Sequence, residues 1–211
     1  MARRPLSVDS TLNAVRDLYT SGLQEHGAES RAVGWKDEDS QRLRFEKLAQ
    51  VIEAGSDAVT VGDWGCGYAA MFGFLEERLH DRLTSYHGCD ISAEMVDAAR
   101  MAVIDPRAHF EVGEALPAVD YVFVSGTFNV RFAATDAEWE DYVESCLVRL
   151  AATARLGLAF NLLSTYVDWR EPHLFYADPC ALFNFCKRRL SPRVALLHDY
   201  PLYEWTILVT L

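Results

Sequence analysis

The chain has 211 residues, half of them hydrophobic and 24% charged, with a formal net charge of −11. That is enough chain to bury one sizeable core, in the composition range of ordinary globular domains. The acidic balance argues against nucleic acid and anionic membranes as partners, and no apolar run reaches the length of a bilayer span.

The first ten residues, MARRPLSVDS, carry two arginines without an apolar stretch behind them, so no secretory signal is expected. A helix is predicted from about Asp9 to Gln24. The polar, glycine-containing HGAESRAVGWKDEDS reads as a loop. A second helix follows from about Asp39 to Ala54, with Phe45, Leu48, Val51 and Ile52 on one face. Residues 1–57 are accordingly expected to form a helical extension or lid on a domain covering 58–211.

From Ala58 strands and helices alternate. Strand 1 is Val59–Trp64, and a helix starts near Tyr68. Strand 2 is about Thr84–Asp90, followed by the amphipathic ISAEMVDAARMAV, which Ser92 can cap. Strand 3 is Ala108–Val112. Strand 4, Val119–Ser125, is nearly continuous in apolar residues, as a central strand buried on both faces requires. The next helix opens on a capping box, Thr135 to Glu138, before strand 5 at about Leu156–Leu163. The last helix, DPCALFNFCKRRL, has Asp178 at its cap and Pro179 at its first position. Its basic end, CKRRLSPR, suits the helix dipole. RVALLH and EWTILVTL close the chain, joined so briefly that they must be antiparallel neighbours. The predicted fold is α/β: a doubly wound, mostly parallel seven-stranded sheet with a terminal antiparallel hairpin and helices on both faces.

Five scattered cysteines, Cys66, Cys89, Cys146, Cys180 and Cys186, contain no C-x-x-C pair. They read as reduced thiols of a cytoplasmic protein, and no Cys or His set has metal-ligand spacing.

The chemistry centres on VTVGDWGCGYAAM, Val59 to Met71. A ligand of such a sheet sits beyond the carboxyl ends of the strands, beside strand 1. Gly65 and Gly67 permit a tight turn and close backbone approach there. Asp90 ends strand 2, 23 residues after Gly67, where an acid can accept hydrogen bonds from a ribose diol. Glu114 follows strand 3. GCGYAA alone also satisfies the loose dinucleotide fingerprint, with Ala70 in its last position, which is weak evidence. Asp63 separates the readings: it would repel a pyrophosphate at this helix terminus but attract a ligand bearing an ammonium and a sulfonium.

VGDWGCGYAA, with GCDIS and EVGEALP after it, resembles the class I S-adenosylmethionine-dependent methyltransferases from about Ala58 to Leu211. Their first motif typically reads acid-x-Gly-x-Gly-x-Gly; here Asp63, Gly65 and Gly67 match and Ala69 replaces the last glycine. The resemblance implies a cofactor site built from Asp63, Gly65, Cys66, Gly67, Asp90, Ile91, Met95, Gly113, Glu114, Ala115 and Ser125. Asp90 would hold the ribose, and Gly113, Glu114 and Ala115 would flank adenine. The N-terminal segment would fold over the pocket, with Gln41 or Arg44 on the methionine carboxylate and Trp35 as a wall. Cys66 itself is a small space-filler with nothing to activate it.

Methyl transfer needs a base only if the acceptor carries a proton. Two segments emerge on the active face, STYVDWREPHLFYADP and HDYPLY, and their candidate bases are His198 and Asp199, then Tyr166, Asp168 and His173. Strand 4 ends SGTFN and lacks the Asn/Asp-Pro-Pro-Tyr of amide and adenine N-methyltransferases. No acidic cluster resembles the magnesium-dependent catechol type. The expected activity is methylation of oxygen or nitrogen on a small metabolite or sugar, by a monomer or homodimer that binds neither nucleic acid nor membrane. Two readings stay open beside it: an NAD-type oxidoreductase, and a catalytically silent S-adenosylmethionine-binding module.

Overall fold

The computed structural model describes residues 6–29, 37–55 and 57–211. Two helices come first, α1 (Leu6–His26) and α2 (Glu38–Leu48), the second running into a 3₁₀ turn at Ala49–Val51. They are followed by β1 (Val59–Trp64), α3 (Ala70–Leu79), β2 (Leu83–Asp90), α4 (Ala93–Ala102), β3 (Ala108–Val112) and β4 (Val119–Val124). The chain ends with α5 (Asp136–Ala151), β5 (Ala154–Ser164), β6 (Tyr176–Ala177), α6 (Pro179–Arg189), β7 (Arg193–Leu197) and β8 (Glu204–Thr210).

The strands form one sheet in the order β3-β2-β1-β4-β5-β8-β7. Strands β1 to β5 pair in parallel, whereas β8 is antiparallel to both β5 and β7. This is the expected doubly wound architecture with its terminal hairpin. It carries one addition, the two-residue β6, which pairs in parallel with the end of β5. Two residues of FYADP are too few to show a period, which is why that strand escapes the sequence pattern.

The sheet is covered on both faces. One core packs Val122, Val124 and Leu158 against α5 and α6 through Trp139, Leu147 and Leu182. The other packs Val59, Val61 and Tyr121 against α2 and α3 through Phe45, Leu48, Phe72 and Leu75. Strand β4 has five of its six residues buried, consistent with its unbroken apolar run. The helix ends are fixed as their sequences require: Ser92 caps α4, Thr135 and Glu138 form a capping box on α5, and Asp178 caps α6.

Strand order reverses at β1, which lies between β2 and β4. The loops after β1, β2, β3 and β4 therefore open on one crevice at the carboxyl ends of the strands. Helix α1 lies against the amino-terminal ends of α4 and α5. Thr20 Oγ1 hydrogen-bonds Ser92 Oγ at 3.0 Å, Ser7 Oγ donates to Glu138 Oε1 at 2.8 Å, and Thr11 Oγ1 donates to the Arg131 carbonyl at 3.0 Å. Among the described residues no helix is long and apolar enough to cross a membrane.

Candidate active site

The turn after β1 is built by backbone that favours glycine. Gly65 has φ +79° and Gly67 φ +54°. The N–H groups of Gly65 and Cys66 donate to the Cys89 carbonyl at 2.8 and 3.0 Å, tying the turn to the end of β2. A Cβ on Gly65 would stand 2.5 Å from the Thr127 side chain, so the turn presses against the loop that follows β4. Ala69, at φ +65°, completes it and starts α3.

Three acids border this turn. Asp63 is 2% exposed and accepts a hydrogen bond from the Tyr86 hydroxyl. Burial pushes its pKa up to about 7; the Tyr86 bond pulls it back in part, and the neighbouring charge of Asp90 adds to the rise. Asp90 accepts the Gly67 N–H at 3.0 Å and the Ser92 N–H at 2.9 Å, so its carboxylate joins the turn to the start of α4. Burial raises Asp90 too, against these backbone donors. Glu114 accepts from the Tyr142 hydroxyl at 3.1 Å, and its carbonyl accepts from Trp64 Nε1 at 3.0 Å.

These groups converge on one cleft, holding about 960 Å³ of space between atoms, its open mouth included. Its wall contains Asp63, Gly65, Cys66, Gly67, Asp90, Ile91, Met95, Gly113, Glu114, Ser125 and Gln41. Burial raises the Cys66 thiol far above its ordinary range, leaving it no thiolate to act with. Gln41 accepts a hydrogen bond from the Tyr68 hydroxyl at 3.1 Å. The wall also has a side that the motif gave no hint of, Leu12, Val15 and Tyr19 of α1. Their spacing puts them on one helical face, a signal present in the sequence as the stripe Val8, Leu12, Val15, Tyr19.

Other expected residues stand elsewhere. Arg44 is turned away to a buried ion pair: its Nε and Nη2 reach the two Glu204 oxygens at 2.8 Å each, and it is not part of the wall. An Arg held by a buried carboxylate is already neutralised, so Gln41 is the better placed of the two expected carboxylate partners. Ala115 does not line the cleft, and Trp35 lies outside the described residues.

The four candidate bases His198, Asp199, Tyr166 and Asp168 are also absent from the wall, and so is His173. The physical reason is that each has another neighbour. The His198 ring packs on Tyr166 at 5.8 Å, Asp199 pairs with Lys47 Nζ at 2.8 Å, and Asp168 accepts from the Tyr203 hydroxyl. The His173 ring stacks on Phe132 at 6.1 Å. Tyr166, Trp169 and Tyr203 are exposed in the segments after β5 and β7, with Trp169 meeting Tyr203 edge to face at 5.6 Å, and form the ledge at that end of the sheet.

No family model matches the chain. A Mycobacterium tuberculosis protein named "Putative methyltransferase Rv1506c" is 45% identical over 163 residues, covering 75% of this chain and 96% of its own. The chain belongs to the methyltransferases. Solved structures agree on the fold. Magnesium protoporphyrin IX methyltransferase from Synechocystis PCC 6803, crystallised with S-adenosylhomocysteine, superposes with TM-score 0.65 at 12% identity, over 95% of this chain and 99% of that one. Human N-acetylserotonin methyltransferase in complex with S-adenosylmethionine gives TM-score 0.53 at 14% identity, over 95% and 66%.

The wall fits S-adenosylmethionine, the ligand that the human structure contains. A buried carboxylate at the floor suits a cation and would repel a pyrophosphate, which sets the NAD-type reading aside. Ser125 Oγ is closed off from solvent and makes no hydrogen bond among the described residues, so it is available to a ligand. When bound, S-adenosylmethionine would supply a methyl group made electrophilic by its sulfonium, and the protein would supply alignment.

Proposed function

We propose that the acceptor is a small metabolite or sugar, methylated on oxygen or nitrogen, and that the enzyme works in the cytoplasm as a monomer or homodimer without nucleic acid or membrane. The observation that carries this reading is the cleft itself. It is concave and narrow, with Phe128, Trp139 and Tyr142 providing apolar wall and a few hydroxyls providing direction. A net charge of −11 supports the exclusion of polyanions.

In this reading the reacting atom enters the cleft past the Ser125–Phe128 loop. The outer part of the acceptor rests on the ledge of Tyr166, Trp169 and Tyr203, which are 68, 63 and 44% exposed at the same end of the sheet. No histidine or lysine lines the wall among the described residues. Asp90 and Glu114 are spoken for by hydrogen bonds, and Asp63 lies at the floor under the turn. The wall thus favours acceptor atoms that arrive unprotonated, and His198 moves from candidate base to ledge residue.

The test is transfer of a radiolabelled methyl group from S-adenosylmethionine to pooled small metabolites and sugars, run beside transfer RNA, DNA and a peptide pool. Label in a small-molecule fraction is expected. Label found only in nucleic acid or peptide would sink the reading.

A further inference from the structure

Tyr19 is the one phenol that α1 brings to the cleft. It sits a helical turn beyond Val15 on the face that closes the wall. Leu12 and Val15 already seal that side with apolar groups, so packing alone gives no reason for a hydroxyl here. The hydroxyl makes no hydrogen bond among the described residues, whereas nearby Tyr68, Tyr86 and Tyr142 each donate to a named acceptor. Its neighbour in sequence, Thr20, is bonded to Ser92, two residues from Asp90, which fixes this part of α1 over the ribose end of the site. Burial, with the Asp90 charge nearby, pushes the Tyr19 pKa up to about 12 and keeps the group a neutral donor at physiological pH.

We propose that Tyr19 is a cofactor-binding residue: its hydroxyl hydrogen-bonds the ribose side of the bound nucleoside beside Asp90. The proposal rests on the assignment of the glycine-turn cleft as the cofactor site, and it adds a contact from outside the motif loops. The polar ties of Ser7, Thr11 and Thr20 flank an apolar stripe that buries Val8 in the core and packs Leu12 against it, so α1 holds Tyr19 at a fixed place on the wall.

Titration calorimetry with S-adenosylhomocysteine and with adenosine tests it on three forms: the parent, Tyr19→Phe and Thr20→Val. Tyr19→Phe keeps the ring and its packing. The expected result is about a fivefold or greater loss of affinity for both ligands, from removal of one hydrogen bond, with the ligand-free melting temperature unchanged. Thr20→Val cuts the tie to Ser92 and is expected to lose clearly less. Unchanged affinity in Tyr19→Phe overturns the proposal, and so does an equal loss in Thr20→Val, which would make seating of α1 the whole effect. A parent that binds neither ligand overturns it together with the cleft assignment beneath it.

Discussion

The Tyr86 hydroxyl donates to the Asp63 carboxylate beneath the glycine turn, and both residues are closed off from solvent. A carboxylate in that position is poised between its charge states, with a pKa raised to about 7 chiefly by burial. A cationic ligand above it prefers the ionised form, so binding and deprotonation are linked. Affinity for S-adenosylmethionine is expected to climb by up to ~10-fold per pH unit below about pH 7 and to level off above it. Asp63→Ala should flatten that profile and remove ~1.5–3 kcal/mol at pH 8. Tyr86→Phe removes a donor that favours the ionised form, so the midpoint should move to higher pH. Calorimetry across pH decides, and a profile of the parent that is flat between pH 6 and 8 would count against the linkage.

The same shift has the opposite sign for the empty protein. The folded pKa of Asp63 lies above its ordinary 3.8, so its contribution to stability is present below that value and lost as pH rises through about 7. Asp63→Asn is therefore expected to raise the ligand-free melting temperature at pH 8 and to leave it little changed at pH 4. A fall at pH 8 would show that the ionised carboxylate is needed for the fold.

Asp90 does two things at once, and a substitution can separate them. Its carboxylate holds the Gly67 and Ser92 N–H groups and borders the cleft. Asp90→Asn keeps an acceptor for one backbone donor but weakens bonding to a ribose diol. The loss of affinity for S-adenosylhomocysteine is expected to reach ~1.5–3 kcal/mol, and the loss for methionine, which has no ribose, to be smaller. Equal losses would mean that the glycine turn itself has been displaced.

Much of this arrangement is legible in the sequence, for a definite reason. β4 declares itself because a strand buried on both faces is nearly continuous in β-branched and aromatic residues, and the turn declares itself because Gly65 and Gly67 are where the backbone takes positive φ. Ala69 shows the limit of such reading. In the motif it looks like a mild swap for glycine, yet it holds φ +65°, so it carries strain that glycine would not. Contacts between distant residues leave no local trace. Arg44 and Glu204 are 160 positions apart, and nothing near either predicts their pairing. The topology places His198 and Tyr166 on the correct end of the sheet, but strand order alone cannot tell a residue facing the cleft from one facing a neighbouring side chain.

The Arg44–Glu204 pair reaches the active site through one more residue. Glu204 Oε2 accepts from Asn161 Nδ2 at 2.9 Å, and Asn161 Oδ1 accepts the Gly126 N–H at 2.7 Å, in the loop that walls the cleft after β4. The pair is buried, with side chains 8% and 2% exposed. Glu204→Leu takes the bidentate carboxylate from a buried guanidinium and should cost about 3–5 kcal/mol, seen in chemical denaturation. Replacing both residues, Arg44→Met with Glu204→Leu, should recover most of the stability. The double variant should still bind S-adenosylhomocysteine more weakly than the parent, because the Gly126 loop has lost its brace. Parent-like affinity in the double variant would confine the network to stability alone.

The last prediction separates the ledge from the cleft. His198 packs on Tyr166, Trp169 meets Tyr203, and Asp199 pairs with Lys47, and none of these residues lines the cleft; the proposed function gives them the outer part of the acceptor. With an acceptor in hand, His198→Ala is expected to change kcat less than about threefold, far below the ~10²-fold that removing a general base would cost. Trp169→Ala removes a large exposed contact surface and is expected to raise KM for the acceptor about tenfold while leaving kcat and S-adenosylhomocysteine affinity in place, the pattern of a lost binding contact that acts equally on ground and transition states. The two variants fail in opposite ways if the assignment is wrong. A ~10²-fold loss of kcat in His198→Ala would mean that the ledge folds over the reacting atom once the acceptor binds, returning His198 to the role of base. An unchanged KM in Trp169→Ala would mean that the acceptor is held wholly inside the cleft.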